Sequence, residues 1–317
     1  MNVTPRTRGA YIDFDQIAGY HLHTRLLKLK RNRNAFAQLA GPYKTRIRGR
    51  GLEFEDVRIY QSGDDVRSID WRVSARTNLP HIKQFTEEKE RPVLIAVDQR
   101  QHMFFGSQCA LKSVVAADIA AMIAWAVHHK GDRLGGLLFN NERHQDFRPQ
   151  QQKKHILRFL FELSAFNQSL SGFVPEQGLA LTDIFLEIKR LVKPGMQVFI
   201  ISDFYDLQPS DQSLLHQISR KAEIIALKPF DLLEYQLPTQ GLYRISNGQQ
   251  ESTLDANNKH NHQLYQREYE QHADFIKTSF GQAQAPVIPI ATSDEPLAIL
   301  QQYLGHTDLI HDFAEGI

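Results

Sequence analysis

Short runs of consecutive apolar residues alternate with longer amphipathic segments over most of the chain. Two of these runs, residues 93–97 and 197–202, end directly before an aspartate, Asp98 and Asp203 respectively. Such runs are typical of strands that are buried on both faces of a parallel sheet. The segments between them have the helical period. The pattern therefore predicts an α/β fold with a doubly wound, mostly parallel sheet.

The elements of this sheet can be placed between residues 91 and 306. Strands are predicted at residues 93–97, 134–139, 197–202, 223–227 and 287–291. Helices are predicted at residues 111–128, 153–166, 183–192, 212–221 and 295–304. A polar segment, residues 229–284, precedes the last strand, and we interpret it as an insertion with a hairpin around Asn247-Gly248 and a charged helix over about 259–279. Residues 307–317 are predicted to be a tail.

The first ninety residues have a different pattern. Residues 16–39 have apolar positions at helical spacing and predict one helix. From residue 52 to residue 85, apolar and charged residues alternate at short range, and turn residues such as Ser62-Gly63 divide the segment. We therefore predict a basic N-terminal helix and a small β-hairpin region, together residues 1–90, ahead of an α/β domain at residues 91–306.

Composition excludes several classes of protein. The 317 residues are 42% hydrophobic and 23% charged, which excludes collagen-like, wholly disordered and disulfide-scaffold proteins. The one cysteine, Cys109, cannot form an internal disulfide, so we expect a reducing, cytoplasmic location. Residues 1–15 are polar, and the most apolar window, residues 114–127, is interrupted by Asp118 and is shorter than the ~20 residues that cross a bilayer. We expect neither an export signal nor a membrane span.

Positive charge is concentrated at the N-terminus, although the net charge is only +1. Residues 1–50 contain eleven Lys and Arg and only two acidic residues, Asp13 and Asp15. Such a segment contacts phosphates or an acidic partner, or it forms a solvated helix face. Its only aromatic residues within the basic stretch are Phe36 and Tyr43, which argues against a platform for stacking bases. Nucleic-acid binding is therefore kept as an alternative function.

Three oxygen-bearing side chains are predicted at the carboxyl edge of the sheet. Asp98 and Asp203 each follow a buried strand, and Thr182 lies just ahead of a predicted helix. Open α/β sheets bind ligands at this edge, and carboxylate and hydroxyl oxygens are the ligands that Mg²⁺ prefers. The structural alternatives are that Thr182 caps its helix and that the aspartates accept amide hydrogen bonds.

One part of the β-rich region carries a more specific pattern. Residues 51–60 are GLEFEDVRIY, residues 63–71 are GDDVRSIDW and residues 74–76 are SAR. These motifs closely resemble the signature of the bacterial domain of unknown function 58 family, and the resemblance extends from about residue 48 through the last strand. Members look like von Willebrand factor A-type domains. They are commonly partners of MoxR-type AAA+ ATPases, in systems thought to assist folding, assembly or metal loading of other proteins.

The resemblance also implies a comparison with the metal-ion-dependent adhesion site of A-type domains. That site has an Asp-x-Ser-x-Ser loop, a later threonine and a later aspartate. The matching loop here runs from Asp98 to His102 as DQRQH, with Thr182 and Asp203 as the later residues. Arg100 and His102 stand where hydroxyls would contact the ion. We therefore expect a degenerate site that holds no Mg²⁺, in which Arg100 pairs with Asp98 or Asp203.

Charged residues are dense in the signature segment. The residues that we assign to a signature network are Arg58, Tyr60, Asp64, Asp65, Arg67, Asp70, Trp71 and Arg76. Because so many charges cannot be buried without partners, we expect them to pair and to join the hairpins to the sheet, with Trp71 as the apolar anchor. The alternative is a recognition patch for a partner.

Together these features predict a non-enzymatic protein-binding module that is the partner, or adaptor, of a MoxR-type AAA+ ATPase and of an unidentified client protein. The carboxyl edge would be the docking surface, and residues 229–284 would contact the client. No Gly-Lys-Ser or Gly-Lys-Thr loop is present, so we do not expect nucleotide hydrolysis by the chain itself. Besides nucleic-acid binding, the alternative is a metal-dependent hydrolase of the phosphoesterase type that uses the paired aspartates.

Overall fold

Strands and helices alternate along the computed structural model, which describes residues 6–29, 57–60, 69, 71–77, 79–83, 91–170, 178–246 and 251–305. The strands are β1 (Val57–Ile59), β2 (His81–Lys83), β3 (Pro92–Asp98), β4 (Arg133–Phe139), β5 (His144–Gln150), β6 (Gln197–Ile201), β7 (Glu223–Phe230), β8 (Leu242–Ser246), β9 (Glu251–Asp255) and β10 (Val287–Ala291). The α-helices are α1 (Phe14–Ala18), α2 (Trp71–Thr77), α3 (Lys112–Lys130), α4 (Lys153–Gln168), α5 (Leu181–Leu191), α6 (Asp211–Ser219), α7 (Leu232–Tyr235), α8 (Lys259–Gln282) and α9 (Pro296–Leu304).

Six strands form one sheet in the order β10-β7-β6-β3-β4-β5. Five of them are parallel, and β5 pairs antiparallel with β4 at one edge. The predicted mostly parallel sheet is therefore confirmed. The sequence did not predict β5, because this strand is polar and contains Pro149, and only Phe147 is buried. A strand with one buried side chain gives no apolar run, and proline is tolerated in strands at such an edge.

Apolar layers cover both faces of the sheet. Along β3, Val93, Ile95 and Val97 belong to the layer that contains α3, α4 and α9, whereas Leu94 and Ala96 belong to the layer that contains α5, α6 and part of α8. Because successive side chains of a strand point to opposite faces, a strand covered on both faces must be apolar throughout. This burial explains the continuous runs from which the sheet was predicted.

The N-terminal segment packs on α3 and α4 but does not form the predicted helix over residues 16–39. The short helix α1 is capped by Asp13, a 3₁₀ turn follows at Gly19–Leu22, and the chain is irregular from there to residue 29. Ile17 and Tyr20 are buried, and the Trp125 indole donates to the Ile17 carbonyl at 3.1 Å. Packing of these few side chains overrides the helical period. Residues 30–39 lie outside the described residues.

A buried carboxyl group holds this segment in place. Asp118 lies in the middle of α3, and its side chain accepts hydrogen bonds from the Thr7 amide at 2.8 Å, the Thr7 hydroxyl at 2.6 Å and the Tyr20 hydroxyl at 2.8 Å. Burial raises the pKa of Asp118 to about 6, although these donors oppose the shift. The acidic residue that interrupts the apolar window of the sequence therefore attaches the N-terminal segment to the helix.

The chain divides into two compact units, Arg46–Glu90 and Met1–Thr45 together with Arg91–Ile317. The sequence analysis placed residues 1–45 with the β-rich region instead. They belong to the larger unit because Ile12, Ile17 and Tyr20 are part of its core.

In the smaller unit, β1 and β2 pair antiparallel, and α2 lies between them in the sequence. The prediction of strands and hairpins throughout residues 52–85 is therefore wrong at α2. The alternation of Ile69, Trp71 and Val73 covers only three positions, and the Ala75 and Arg76 that follow are strong helix formers. The Trp71 side chain is 70% exposed, and its expected role as the apolar anchor of the signature network stays a prediction.

The inserted segment begins after Phe230, because β7 continues through Pro229. It contains α7, the antiparallel pair β8 and β9, and α8. The turn predicted around Asn247-Gly248 lies outside the described residues. Ile276 and Phe280 of α8 are buried in the core, so the second half of this helix attaches the insertion to the larger unit. Among the described helices, none combines the length and the apolar character that crossing a bilayer requires.

Candidate functional site

Asp98 and Asp203 lie close together at the carboxyl edge of the sheet. Asp98 is the last residue of β3, and Asp203 follows the neighbouring parallel strand β6 by two residues. Both side chains are buried. His102 lies between them, with its Nε2 atom 3.4 Å from Asp98 Oδ2 and 3.1 Å from Asp203 Oδ1. The fold therefore brings two carboxylates and one imidazole into a single cluster.

Arg100 pairs with Asp98, one of the two aspartates that the sequence left open as its partner. Its Nη2 atom lies 2.8 Å and its Nε atom 3.2 Å from Asp98 Oδ2, and its backbone amide donates to Oδ1 at 2.9 Å. The Ser202 hydroxyl donates to Oδ2 at 2.7 Å. Burial alone would raise the pKa of Asp98, but the charges of Arg100 and His102 outweigh it and hold this pKa below its ordinary value. Asp98 is therefore an ionised, fully partnered carboxylate.

The same guanidinium connects three loops. Its Nη1 atom donates to Asp206 Oδ2 at 2.7 Å and to the Leu179 carbonyl at 3.3 Å. Asp206 Oδ2 also accepts the Leu181 amide, at 2.9 Å, at the start of α5. Arg100 therefore holds together the loop after β3, the loop after β6 and the beginning of α5.

A second buried cation, Lys112, was missed by the sequence analysis. It is the first residue of α3 and is only 2% exposed. Its Nζ atom donates to Asp203 Oδ2 at 2.6 Å and also to Glu234 of α7. Burial alone would raise the pKa of Asp203, but Lys112 and then His102 lower it well below its ordinary value. The signal in the sequence is a lysine that opens a mostly apolar helix.

His102 is held in its protonated form by its neighbours. Burial alone lowers the pKa of an imidazole, but the adjacent charges of Asp203 and Asp98 outweigh burial and raise the pKa of His102 to about 10. Its Nε2 atom makes no hydrogen bond of good geometry, so the interaction with both carboxylates is one of charge. At neutral pH the cluster therefore contains three cations facing the two aspartates.

These residues do not fit a divalent cation. One atom each from Asp98, His102 and Asp203 lie within 4.8 Å of one another, which is a spacing that metal ligands show. However, Arg100 and Lys112 already contact the two carboxylates at 2.8 and 2.6 Å. Two unit charges 4 Å apart interact by ~4 kcal/mol at an effective dielectric of 20, so these cations would repel an incoming ion strongly.

Calorimetric titration with MgCl₂ or MnCl₂ is therefore expected to give no saturable heat. EDTA is expected to leave the melting temperature unchanged, because ion pairs within the chain hold the carboxylates in place. Saturable binding that disappears in the Asp203→Asn variant would contradict this expectation.

Thr182 makes a different contact. It is the second residue of α5, and its hydroxyl donates to Asp211 Oδ1 at 2.6 Å. Asp211 begins α6, so this bond links the first turns of two helices. The structure therefore brings Asp98, Arg100 and Asp203 together with His102, while the Thr182 hydroxyl is used in a structural link beside them.

The signature residues fall in the smaller unit, and the structure describes only some of them. Tyr60 is partly buried, Trp71 and Arg76 are exposed, and the backbone of Arg58 lies in β1. Asp64, Asp65, Arg67 and Asp70 lie outside the described residues, so the signature network stays a prediction. Residues 30–50, which hold most of the basic N-terminal charge, also lie outside them.

Five exposed apolar side chains lie in the segments at this edge of the sheet. We call them the rim patch: Phe105, Tyr205, Leu232, Leu233 and Tyr235. They lie in segments that follow the carboxyl ends of β3, β6 and β7. The Tyr205 ring is 72% exposed, and its centroid is 5.8 Å from that of His102. The Lys112 Nζ atom lies 5.9 Å from the centroid of the Phe105 ring.

Asp231 fixes the loops beneath this patch. It is buried, and its carboxylate accepts the Ser107 amide at 2.8 Å and the hydroxyls of Ser107 and Thr292 at 2.5 Å each. It also caps α7 by accepting the Leu233 amide at 2.9 Å. The loops that follow β3, β7 and β10 are therefore joined through one side chain.

Several known proteins are similar to this chain. The Mycobacterium tuberculosis (strain ATCC 25618 / H37Rv) protein "Uncharacterized protein Rv1480" and the Mycobacterium bovis protein "Uncharacterized protein Mb1516" are each 31% identical over 218 residues, which is 68% of this chain and 67% of theirs. Among solved structures, BatB from Bacteroides thetaiotaomicron matches with 14% identity and a TM-score of 0.42, covering 67% of this chain and 96% of BatB.

A second solved structure, an aerotolerance-related membrane protein from Bacteroides fragilis, matches with 13% identity and a TM-score of 0.40, covering 68% of this chain and 98% of that one. The family model described as "Protein of unknown function DUF58" matches residues 56–275. Because this match spans most of the chain, the protein belongs to the DUF58 family.

Proposed function

We propose that this protein is a non-enzymatic binding module whose rim patch docks a partner protein. The observation that carries the proposal is the contrast at the carboxyl edge. The carboxylates of Asp98 and Asp203 are already paired with Arg100 and Lys112, whereas the rim patch exposes five apolar side chains at the same edge. An exposed apolar patch with polar groups beneath it is typical of a protein interaction site.

The buried charges support this role by holding the loops of the rim patch in one arrangement. Lys112 connects α3 to the loop after β6 through Asp203 and to α7 through Glu234. A surface that is already ordered before binding loses less conformational entropy in the complex. The ion pairs therefore hold the rim patch in its binding conformation before the partner binds. They lie where A-type domains with a metal-ion-dependent adhesion site would hold a metal ion.

Within this proposal the fold is of the von Willebrand factor A type, and the partner is a MoxR-type AAA+ ATPase that acts with the module on a client protein in the cytoplasm. Membership of the DUF58 family supports the choice of partner, through the association that the sequence resemblance implies. The ATPase would supply the work in folding, assembly or maturation of the client, and the module would supply recognition.

The two alternative functions have less support. A metal-dependent hydrolase would need a free carboxylate, and the contacts of Arg100 and Lys112 argue against one. Nucleic-acid binding through the basic N-terminal segment would give a steep salt dependence of retention on DNA or RNA. No contact within the described residues favours either alternative.

Binding to a purified MoxR-type ATPase from the same organism tests the proposal. Tyr205→Ala and Leu233→Ala are each expected to weaken binding about tenfold, because truncating a central interface side chain costs on the order of 1–2 kcal/mol. Leu186→Ala is the matched control, since Leu186 is also exposed but lies in the middle of α5. The proposal fails if the native protein does not bind the ATPase, or if the control weakens binding as much as the rim variants do.

A further inference from the structure

One lysine beside the charge cluster has no acidic partner. Lys228 lies near the carboxyl end of β7, and within the described part of the chain its ammonium group makes no ion pair or hydrogen bond. Its Nζ atom instead lies 5.8 Å from the centroid of the Phe230 ring and 5.6 Å from that of the Tyr269 ring. Lys112, the neighbouring buried lysine, has two carboxylate partners. Lys228 is therefore the cation whose charge is least compensated in this region.

Burial lowers the pKa of Lys228, and the positive charge of Lys112 acts in the same direction. Asp203 and Glu234 oppose this shift, but both already receive a hydrogen bond from Lys112. An additional negative charge placed next to Lys228 would therefore be stabilised by the protein. A partly buried lysine without an ion pair also reduces stability, so its presence favours a role in binding.

Helix α8 of the insertion places polar aromatic side chains near Lys228. Tyr265, Tyr269 and His272 are spaced by four and three residues, which places them on one face of this helix. All three are partly buried, and the Tyr235 ring of α7 contacts the Tyr269 ring with centroids 5.7 Å apart. His272 is engaged with the Phe204 carbonyl at 3.2 Å.

The two phenols remain available as donors. Neither the Tyr265 nor the Tyr269 hydroxyl makes a hydrogen bond within the described residues. Burial, followed by the charge of Glu234, raises the pKa of Tyr265 and raises that of Tyr269 to about 12. Both hydroxyls therefore keep their protons at neutral pH and can donate to an anion.

We propose that Lys228, Tyr265 and Tyr269 form a subsite that binds an acidic side chain of the partner protein, next to the rim patch. The lysine supplies the positive charge, the phenols supply neutral donors, and the aromatic rings exclude water from the contact. This inference rests on the proposed function, because the carboxylate belongs to a docked polypeptide. It also gives the insertion a role, since α8 provides the aromatic wall of the subsite.

Two probes test the subsite separately from the choice of partner. The first is the peptide hexaglutamate, with hexaglutamine and inorganic phosphate at equal ionic strength as comparisons. Native protein is expected to bind hexaglutamate saturably and to bind hexaglutamine at least tenfold more weakly. Lys228→Met is expected to weaken hexaglutamate binding at least tenfold, while Lys228→Arg is expected to stay within about threefold. The control is Lys277→Met, which changes an exposed lysine of α8, the helix that carries Tyr265 and Tyr269. This variant should bind hexaglutamate as tightly as the native protein does.

The second probe is the MoxR-type ATPase itself. Lys228→Met is expected to weaken its binding at least tenfold and to reduce the salt dependence of that binding, with a melting temperature equal to or above that of the native protein. If Tyr205→Ala weakens ATPase binding and Lys228→Met does not, the proposed role of the subsite is refuted, whereas docking of the ATPase on the rim patch is supported. If hexaglutamate binding depends on Lys228 but the protein does not bind the ATPase, the proposal of a MoxR-type partner is refuted and the proposal of an acidic subsite is kept. Equal binding of phosphate through Lys228, or no saturable hexaglutamate binding, would overturn the subsite.

Discussion

Replacing Lys112 by methionine is expected to lower the free energy of unfolding by about 3–5 kcal/mol. The Lys112 Nζ atom is the direct ion-pair partner of Asp203 and Glu234, and it is almost completely buried. Methionine has a similar length but no charge, so Asp203 would keep its negative charge in the protein interior with His102 as its one remaining ion-pair partner among the described residues. Removing one partner of a buried ion pair costs this much because the remaining charge has lost its hydration without compensation.

Lys130→Met is the matched control for this variant. Lys130 is the last residue of the same helix α3 and pairs with Asp132 at 3.2 Å, but its side chain is 44% exposed. Because the Lys130 ammonium group stays hydrated although Asp132 is buried, the control is expected to cost about 1 kcal/mol in urea unfolding experiments, well below the loss for Lys112→Met. The double variant Lys112→Met with Asp203→Asn should recover part of the loss. An equal decrease in the free energy of unfolding for Lys112→Met and Lys130→Met would show that the buried ion pair does not stabilise the loops of the rim patch.

The free energy of unfolding is expected to decrease as the pH rises from 6.5 to 10 because of His102. The adjacent charges of Asp203 and Asp98 raise the pKa of His102 from 6.5 to about 10 in the folded protein. The stabilisation from the protonated imidazole is therefore complete below pH 6.5 and is lost as the pH rises through 10. The loss should be about 5 kcal/mol, since the pKa rises by about 3.5 units and each unit corresponds to about 1.4 kcal/mol.

Comparison with His102→Gln isolates this contribution. The variant should lack the decrease between pH 6.5 and 10, whereas His144→Gln, which changes an exposed histidine of β5, should retain it. Asp118 titrates in a different window, because its stabilising contribution is present below pH 3.8 and is lost as the pH rises through 6. Parallel pH profiles for native protein and His102→Gln would refute the assignment of the slope to His102.

The central sheet could be predicted from the sequence because burial on both faces demands apolar residues at every position. β3 and β6 largely satisfy this demand; β3 ends at Asp98, and β6 is followed by Ser202 and Asp203. β5 and α2 could not be predicted in this way, because each buries few side chains. The N-terminal helix was predicted too long, because Ile17 and Tyr20 are buried by a short helix and a 3₁₀ turn. The spacing of apolar residues indicates which side chains face a core, but it does not predict where a helix ends.

The candidate site could be predicted only where its residues follow the ends of strands. The positions of Asp98 and Asp203 follow from the parallel sheet, and a pairing of Arg100 with one of these aspartates was predictable, but the structure was needed to identify Asp98 as that partner. Lys112 and Glu234 could not be found, since they belong to helices that are distant in sequence from Asp203 or that lie within the insertion. Only the packing of α3 and α7 against the same edge brings these charges together.

The attachment of the N-terminal segment through Asp118 bears on how recombinant fragments of this protein should be designed. A fragment starting at residue 91 would contain every strand of the six-stranded sheet, yet it would lack Thr7 and Tyr20. The Asp118 carboxyl would then lack its hydrogen-bond donors, and a polar group without partners would lie among the apolar side chains of α3. Expression of the α/β region alone therefore calls for keeping the chain from residue 6 or for replacing Asp118 with an apolar residue.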